Sequence, residues 1–377
     1  MRILVVILGI VFILPVVQDV FETIVLPRRV TRRFRIARLY FRVTWKIWGI
    51  PDRAIWSGSR RESYLSYYGP LSLLGLFAFW AVLFVFGFAL LLWGFALPLN
   101  APDRTINFTT YLYLSGTTFF TLGLGDVSPV PGVARLLVVG EVALGFAFLA
   151  LVISYVPVIY QAFSRRELRI SLLDARGGSP ATAVEILRRN HVRRNVDELR
   201  MLLQDWEEWC ADILESHLSY PVLAYYRSQH DAQSWLEAIT AVLDTCALIL
   251  TGFEGVQVDT ARFTFALARH TAVDLSQIFG TSPTTGVNRL PSADFARLRE
   301  VLASFGLQMS EDIPTEQKLA ALREAYEPFV QALAHYLRVS LPPWLPPENA
   351  LDDWQTSAWD DLLPASRQTL VKMMHRE

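Results

Sequence analysis

Residues 117–126 read Thr-Thr-Phe-Phe-Thr-Leu-Gly-Leu-Gly-Asp, and they lie between two long apolar runs at 71–98 and 133–163. A helix that crosses a bilayer needs about 20 mostly apolar residues, and both runs are long enough. An irregular, glycine-containing backbone at membrane depth is tolerated only where protein buries it or where it lines a watery path. The stretch therefore predicts a membrane protein with a loop that dips into the bilayer between two spanning helices.

The composition indicates a membrane part joined to a soluble part. Of the 377 residues, 52% are hydrophobic and 19% are charged. This is apolar for a soluble protein and too polar for a bundle confined to the membrane. The run at 71–98 has no charged residue, and the run at 133–163 has one acid, Glu141.

A third span is predicted at residues 1–27, although Asp19 and Glu22 interrupt the apolar pattern. Only Arg2 precedes the apolar core and no small-x-small cleavage site follows it, so we expect a retained helix rather than a removed signal peptide. Acids inside a membrane are candidates for function. The alternative is that both acids lie at the interface and pair with Arg28 or Arg29.

Basic residues predict the orientation of the chain. Eight bases and no acid occupy 28–46, three more bases follow the last apolar run, and the loop at 99–132 holds few. The positive-inside rule places 28–70 and the residues after 164 in the cytoplasm. We expect a multi-pass protein of the plasma or inner membrane, with its N-terminus and the 117–126 loop entered from outside.

Residues 28–69 are predicted to form a basic, amphipathic interfacial segment. Apolar and aromatic residues recur there at helical spacing and share one narrow face: Val30, Phe34, Ala37, Phe41, Trp45 and Trp48. A cationic helix with an aromatic stripe suits the cytoplasmic leaflet, so anionic lipid headgroups are a predicted partner of 28–46. The alternative is a simple topology anchor. We expect no nucleic-acid partner, because the segment is joined at both ends to membrane helices.

The residue types at 121–126 favour the binding of a cation. Gly123 and Gly125 permit positive φ, which lets successive carbonyl groups face one axis, and Thr121 adds a hydroxyl. Rings of carbonyls can replace the hydration shell of a cation. A short helix over 105–120, starting at Asp103 or Asn107, would direct its negative C-terminal end at the same place.

The remaining three residues of this stretch have different expected positions. Leu122 and Leu124 are expected to turn their side chains away from the axis and into surrounding protein. Asp126 is expected at the outer mouth, where a ring of carboxylates would concentrate cations.

The loop resembles the selectivity filter of tetrameric pore-loop potassium channels, whose common form is Thr-Val-Gly-Tyr-Gly-Asp. The residues that carry the resemblance are Thr121, the Gly123-Leu124-Gly125 triplet, Asp126 and Pro129. The resemblance covers roughly residues 70–163. It implies a pore module of two transmembrane helices and a homotetramer, because each chain supplies one filter. It also implies that K⁺ is held by the backbone carbonyls of Thr121, Leu122, Gly123 and Leu124.

The filter departs from the common form at Leu122 and Leu124, although Gly-Leu-Gly filters occur in two-pore-domain channels. In the common form, a tyrosine at the position of Leu124 bonds to aromatic residues of the pore helix. The matching pore-helix positions are Tyr113 and Leu114, so we expect apolar packing and a less rigidly braced filter. The corresponding hypothesis is weaker selectivity or a tendency to inactivate.

The resemblance also implies that the helix after the filter lines the pore and that a glycine serves as its hinge, for which Gly145 fits and Gly140 is the alternative. Pro157 is predicted to kink this helix near its inner end. Glu141 is interpreted either as a brace behind the pore or as an ordinary helix-to-helix hydrogen bond. Gly145 and Pro157 are thus the candidate gating residues.

A linker at 164–180 and an all-α cytosolic domain at 181–377 are predicted next. Helical patterns occur at 180–191, 195–219, 231–252, 259–279, 292–305, 315–340 and 357–375. Ser179-Pro180 and Ser292 are predicted helix starts, and 341–347 is a proline-rich connector. The run at 236–253 is interpreted as a buried helix rather than a fourth span.

Several chemistries are not indicated by this half of the chain. Neither a nucleotide-binding Gly-x-Gly-x-x-Gly motif nor a β-rich cyclic-nucleotide module is present in the sequence. The six histidines have no metal-ligand spacing, and Cys210 and Cys246 form no disulfide framework. The cytosolic ligand or partner, and the gating stimulus, stay unassigned.

The sequence therefore predicts an all-α membrane protein: a potassium-channel pore module with an extra N-terminal helix and an all-α cytosolic domain. The predicted function is passive K⁺ conduction, with K⁺ as the transported ion and no other cofactor. The alternatives are a weakly selective cation channel and a non-conducting, membrane-anchored signalling or scaffold protein. An enzyme is not expected, because no nucleophile, metal or phosphate-binding constellation is present.

Overall fold

The computed structural model describes residues 2–26, 35–55, 58–101, 106–130, 132–190, 196–230, 233–253, 259–284, 288–309 and 313–346. Over these ranges the chain is almost entirely helical, which confirms the predicted all-α fold class. The strands in the described residues are the two-residue pair β1 Leu99–Asn100 and β2 Ser128–Pro129. The chain divides into two compact units, Met1–Gln161 and Ala162–Glu377.

Among its described residues, the first unit contains six helices: α1 Arg2–Val20, α2 Ile36–Ile55, α3 Ser59–Ser66, α4 Tyr68–Gly94, α5 Phe108–Phe119 and the first part of α6 Val133–Gly177. A π-helical turn, Phe21–Val25, continues α1. Within the ranges given above, three helical stretches are long and apolar enough to cross a membrane: Arg2–Val25, Ser59–Gly94 and Val133–Gly177. The three predicted spans are therefore present as helices.

Helix α6 is longer than the apolar pattern suggested. It includes Pro157 and continues to Gly177, so most of the segment predicted as a linker at 164–180 is helical instead. Residues 164–176 are rich in Arg and Leu, which favour helix, and the first glycine pair comes only at Gly177 and Gly178.

Glycines bring α1 and α4 into close contact. A Cβ atom on Gly9 would lie 2.9 Å from the carbonyl oxygen of Gly87, and one on Gly94 would lie 2.8 Å from a methyl carbon of Val6. In a bilayer the lipid tails are as apolar as the side chains, so helices associate through close packing of small residues. These glycines explain how α1 attaches along α4.

Asp19 connects three helices at the end of this contact. Its buried carboxylate accepts hydrogen bonds from the backbone N–H of Ala37, at 2.9 Å, and from Nε1 of Trp80, at 3.0 Å. It thus caps the start of α2 and ties α2 to α4. Glu22 lies 3.8 Å from Arg35. The suggested partners Arg28 and Arg29 lie outside the described residues.

The aromatic stripe of α2 packs against protein, which corrects the expectation that it meets lipid. Trp45 is buried with its ring 4.7 Å from that of Tyr68, and Trp48 stacks on Tyr64 at 4.8 Å. Neighbouring aromatic rings from α3 and α4 supply a better surface for this stripe than headgroups do. Val30 and Phe34 lie outside the described residues.

A second apolar row of α2 is exposed instead. It consists of Leu39, Val43, Ile47 and Ile50, which recur at helical spacing. Arg42 and Lys46 are exposed as well, and the helical spacing places them alongside this row.

The described part of the second unit contains the end of α6 and seven further helices: α7 Ala183–Arg189, α8 Val196–Ser219, α9 Trp235–Thr251, α10 Thr260–Phe279, α11 Ser292–Ser304, α12 Ile313–Glu324 and α13 Glu327–Leu337. A 3₁₀ turn, Pro221–Tyr225, follows α8. The predicted helix at 357–375 lies outside the described residues.

Helix α9 forms the centre of this unit. Every residue from Ser234 to Ile249 is buried, as expected for a helix surrounded by protein on all sides. Asp244, within it, receives a two-pronged ion pair from Arg289, with contacts of 2.7 and 3.2 Å. The interpretation as a buried helix rather than a span agrees with this environment.

Two predicted helix boundaries were wrong. Thr182, not Ser179-Pro180, caps α7, because its side chain accepts a hydrogen bond from the N–H of Glu185 at 3.3 Å. The helix predicted at 315–340 is divided into α12 and α13. Pro328 explains the break, since proline is accommodated in the first turn of a helix but not in its interior.

Helix α6 passes the C-terminal end of α5 at Gly145. A Cβ atom built on Gly145 would lie 2.2 Å from the carbonyl oxygen of Phe119 and 3.0 Å from the carbonyl carbon of the same residue. Real atoms do not approach so closely, so only glycine allows these two backbones to meet. No described atom lies within 4 Å of a Cβ built on Gly140, one and a half turns earlier.

We predict that Gly145→Ala lowers the stability of the folded protein, whereas Gly140→Ala does not. Overpacking of this kind costs about 1–3 kcal/mol, while alanine is favoured over glycine in an unobstructed helix by about 1 kcal/mol. The measurement is thermal unfolding of the detergent-purified protein. Equal midpoints for the two variants would contradict the close approach at Gly145.

Candidate functional site

The candidate site begins with the short helix α5. Asn107 caps it. The Asn107 side chain accepts a hydrogen bond from the backbone N–H of Thr110 at 3.2 Å, and the backbone N–H of Asn107 donates to the hydroxyl of Thr110 at 3.4 Å. This reciprocal pair satisfies two backbone groups that an uncapped helix would leave open. Of the two predicted starts, Asn107 is the cap, and Asp103 lies outside the described residues.

A shared hydrogen-bond acceptor joins the end of α5 to the loop that follows. The carbonyl oxygen of Thr117 accepts from the N–H of Leu122 at 2.8 Å and from that of Gly123 at 3.2 Å. The N–H of Thr121 bonds to the carbonyl of Thr118 at 2.9 Å. The chain therefore leaves the helix abruptly, and its first loop residues stay beside the negative helix end.

Every second residue of the loop has a left-handed backbone. The φ angles are 56° at Thr121, 54° at Gly123 and 79° at Gly125. Glycine adopts such angles without strain, as the sequence predicted. For Thr121 the same conformation costs roughly 1–2 kcal/mol, and strain of this kind is typical of functional segments. The sequence carried no sign of the left-handed Thr121.

The leucine side chains of the loop are largely exposed within a single chain. Leu122 and Leu124 are 63% and 60% exposed, and no described atom lies within 4 Å of a Cβ built on Gly123 or Gly125. Both leucines were expected to pack into surrounding protein. The described part of the same chain does not provide that packing surface. Phe146 and Ile153 of α6 are also largely exposed.

Tyr113 and Asp126 form a polar brace that the sequence analysis missed. The Tyr113 hydroxyl donates to Oδ2 of Asp126 at 2.9 Å. Leu114 points elsewhere, into a buried cluster with Leu92, Leu99 and other residues. The expected apolar packing concerned Leu124 and Leu114, and it did not include this polar contact of Asp126, two residues after Leu124.

The outer end of the loop is anchored to the segment that follows α4. Strands β1 and β2 pair antiparallel, with Leu99 opposite Pro129 and Asn100 opposite Ser128. The N–H of Val130 bonds to the carbonyl of Pro98 at 3.0 Å. Both ends of the 121–126 segment are consequently tied to helices.

Glu141 lies behind α5. Its Oε1 contacts the hydroxyl of Ser115, which also lies 2.8 Å from the carbonyl oxygen of Val85. Glu141 and Ser115 are both completely buried. Glu141 was interpreted as a brace behind the pore or as a helix-to-helix hydrogen bond. Its contact with Ser115 fits both interpretations, since it joins α6 to α5 and supports α5 from behind.

The candidate gating residues lie along α6, away from the loop in sequence. Gly145 packs against Phe119, so its observed role is close approach, and its role as a hinge stays a prediction. Pro157 is included in α6 as part of one unbroken helix.

One histidine and both cysteines of the second unit are buried in its interior. Burial, together with neighbouring Arg166, holds the pKa of His217 well below its usual range, so this imidazole is neutral. Burial raises the pKa of the Cys210 and Cys246 thiols, and both are free. Within the described ranges, no group of three or more His, Cys, Asp or Glu residues is placed to hold a metal ion. His191 and His375 lie outside those ranges.

Comparison with known proteins identifies the part of the chain that carries this site. Residues 73–161 match the model of a family described as "Ion channel". A curated Bacillus subtilis (strain 168) protein, described as an uncharacterized membrane protein (YdjJ), is 27% identical over 203 residues. That alignment spans 52% of this chain and 58% of the relative.

No solved structure matches significantly. The family match extends from α4 through α5 and the 121–126 segment into α6. This part of a membrane protein is therefore similar to an ion-channel family, in agreement with a pore-loop channel module.

Proposed function

We propose that the protein is a potassium-selective channel that conducts K⁺ passively across a cell membrane. The observation that carries the proposal is the left-handed backbone at Thr121, Gly123 and Gly125, directly after the C-terminal end of α5. This alternation allows successive carbonyl groups to face one side, whereas a plain strand would alternate them. Carbonyls aligned in this way can replace the hydration shell of a cation.

The backbone carbonyls of Thr121, Leu122, Gly123 and Leu124 coordinate K⁺ in this proposal. The negative C-terminal end of α5 favours a cation at the inner side of the segment. Asp126, held by Tyr113, concentrates cations at the outer mouth.

A homotetramer completes the site. One chain contributes one filter segment, and a closed ring of coordinating carbonyls needs several copies around an axis. The exposed Leu122, Leu124, Phe146 and Ile153 support the assembly, because neighbouring copies would cover apolar surface that the single chain leaves open.

The orientation follows from the basic residues of the sequence. The N-terminus and the filter entrance lie outside, and the second unit lies in the cytoplasm. Helix α6 continues from the pore module to Gly177, which supports gating by the cytosolic helical domain. Its ligand or partner stays unassigned.

A weakly selective cation channel is the second candidate. Leu124 lacks the hydroxyl that braces tyrosine-containing filters, and the residue that is braced here is Asp126 instead. A non-conducting signalling or scaffold protein is the third candidate, for which the second unit would be the functional part.

Anionic lipid headgroups are proposed as a partner of α2. The exposed apolar row Leu39, Val43, Ile47 and Ile50 would enter the cytoplasmic leaflet, with Arg42 and Lys46 at headgroup level. Such an arrangement is typical of helices that lie in the interface. The second apolar row, proposed to face lipid, thus differs from the aromatic stripe of α2, which packs against protein.

Flux through the filter tests the channel proposal. In liposomes with a K⁺ gradient, the wild-type protein should conduct, and Gly123→Ala should reduce flux by more than about tenfold, because about 1–2 kcal/mol of left-handed strain is repeated in every subunit. Gly116→Ala, where a Cβ would meet its nearest described neighbour at 3.9 Å, is the matched control and should conduct normally. No wild-type flux, or flux unaffected by Gly123→Ala, would contradict the proposal.

Selectivity should depend on the hydroxyl of Tyr113. Tyr113→Phe removes a hydrogen bond to a charged group, worth about 1.5–3 kcal/mol, and we expect the K⁺-to-Na⁺ permeability ratio to fall roughly three- to tenfold. Tyr111→Phe is the control, since its hydroxyl on the same helix bonds to the carbonyl of Leu97 at 2.9 Å. Equal K⁺ and Na⁺ flux in the wild type would favour the weakly selective candidate.

Lipid dependence tests the proposed role of α2. Wild-type flux should be higher in liposomes that contain phosphatidylglycerol than in purely zwitterionic ones. The double variant Arg42→Gln/Lys46→Gln should lose this difference, because each base near an anionic surface contributes about 1 kcal/mol. Arg262→Gln, which removes an exposed base of α10, should keep it. An unchanged lipid response in the double variant would rule out this partner.

A further inference from the structure

Three polar groups meet behind the filter, one from each of three helices, and two of them, on Ser115 and Glu141, are fully buried. They are the carbonyl oxygen of Val85 on α4, the hydroxyl of Ser115 on α5 and the carboxyl of Glu141 on α6. The Ser115 oxygen lies 2.8 Å from the Val85 oxygen and is in hydrogen-bond contact with Oε1 of Glu141. All three atoms are oxygens, so each contact needs a proton between its two partners.

The available protons can be counted. A backbone carbonyl only accepts hydrogen bonds, a serine hydroxyl carries one proton, and an ionised carboxylate also only accepts. The Ser115 proton can satisfy its contact with Val85 or its contact with Glu141, but not both. If Ser115 donates to Val85, the second proton must come from Glu141.

The surroundings of Glu141 agree with an uncharged acid. Glu141 is 0% exposed already within one chain, and its other oxygen, Oε2, has no hydrogen-bond partner among the described residues. An ionised carboxylate in such a place, with no cation beside it, would be very unfavourable.

No charged side chain of the packed helices neutralises it. Helix α4 has no charged residue. The titratable groups of α5 are Tyr111 and Tyr113, whose hydroxyls bond to Leu97 and Asp126. The other charged residues of α6 are Arg135, which is exposed, and those from Arg165 onward.

We propose that Glu141 is a neutral carboxylic acid that donates its proton to the Ser115 hydroxyl, while Ser115 donates to the Val85 carbonyl. The chain Glu141–Ser115–Val85 is then a complete brace across α6, α5 and α4. Glu141 is a positioning residue: it holds α5, and through Thr117 the filter segment, without touching the ion. The expected effect on conduction rests on the proposed channel function, whereas the protonation state inferred for Glu141 does not.

The brace makes conduction sensitive to alkaline pH. Loss of the Glu141 proton would remove the donor and leave a buried charge behind the filter. We therefore expect selectivity and flux to fall as pH rises, with no loss on the acid side from this group.

Infrared difference spectroscopy tests the protonation state directly. The purified protein at neutral pH should show the C=O stretching band of a protonated carboxylic acid, and this band should be missing from Glu141→Gln. No difference between the two spectra in that region would overturn the proposal. This measurement does not need conduction, so it stands even if the wild type carries no flux and the channel proposal itself fails.

Flux measurements test the positioning role. Glutamine has nearly the shape of the acid and its amide donates a proton while staying uncharged. Glu141→Gln should therefore keep the K⁺-to-Na⁺ permeability ratio within about twofold of wild type and lose the alkaline decline, whereas Glu141→Ala and Ser115→Ala should lower the ratio about tenfold. A Glu141→Gln variant as impaired as Glu141→Ala, or one that keeps the alkaline decline, would overturn the proposal.

Discussion

The carbonyl oxygen of Thr117 accepts two backbone N–H groups, from Leu122 and Gly123, and the candidate site depends on this junction. A backbone that leaves a helix inside a membrane must find internal partners for its polar groups, because lipid offers none. Here the end of α5 provides them. In the proposed channel, the carbonyls of the next residues bind the cation beside the negative end of the helix.

Close backbone contact holds the helices around this junction. Gly145 lets α6 reach the last residue of α5, and Gly9 and Gly94 let α1 reach α4. Packing of this kind replaces the hydrophobic driving force that is missing between helices in lipid. The polar contacts add direction, since the Asp19 carboxyl joins three helices directly, and Glu141 is connected through Ser115 to both α5 and α4.

The second unit is stabilised differently. Its central helix is buried on all sides, and Asp244 on that helix pairs with Arg289, which also contacts Glu327 at 3.2 Å. Trp344 of the proline-rich connector lies under the guanidinium groups of Arg289 and Arg323, at 5.7 and 5.6 Å from the ring centre. Buried charges are compensated here by opposite charges and an aromatic face, as they must be away from water. The connector is thereby attached to the helical bundle.

Much of the fold was determined by local sequence patterns. Apolar runs of sufficient length require membrane helices, Asn107 can cap a helix because its side chain accepts a backbone proton, and Gly123 and Gly125 are free to adopt positive φ. These properties belong to single residues or to short segments. For that reason the spans, the short helix α5 and the two glycines of the loop were predicted without any knowledge of tertiary contacts.

The tertiary structure decided which partner each polar or aromatic side chain has. The stripe of α2 could face lipid or protein, and only the positions of Tyr64 and Tyr68 turned it inward. The bond between Tyr113 and Asp126, the left-handed Thr121 and the contact of Ser115 with Glu141 likewise depend on segments brought together by folding. A sequence pattern specifies that a group needs a partner, whereas the partner is chosen by the distances that packing creates between residues far apart in the chain.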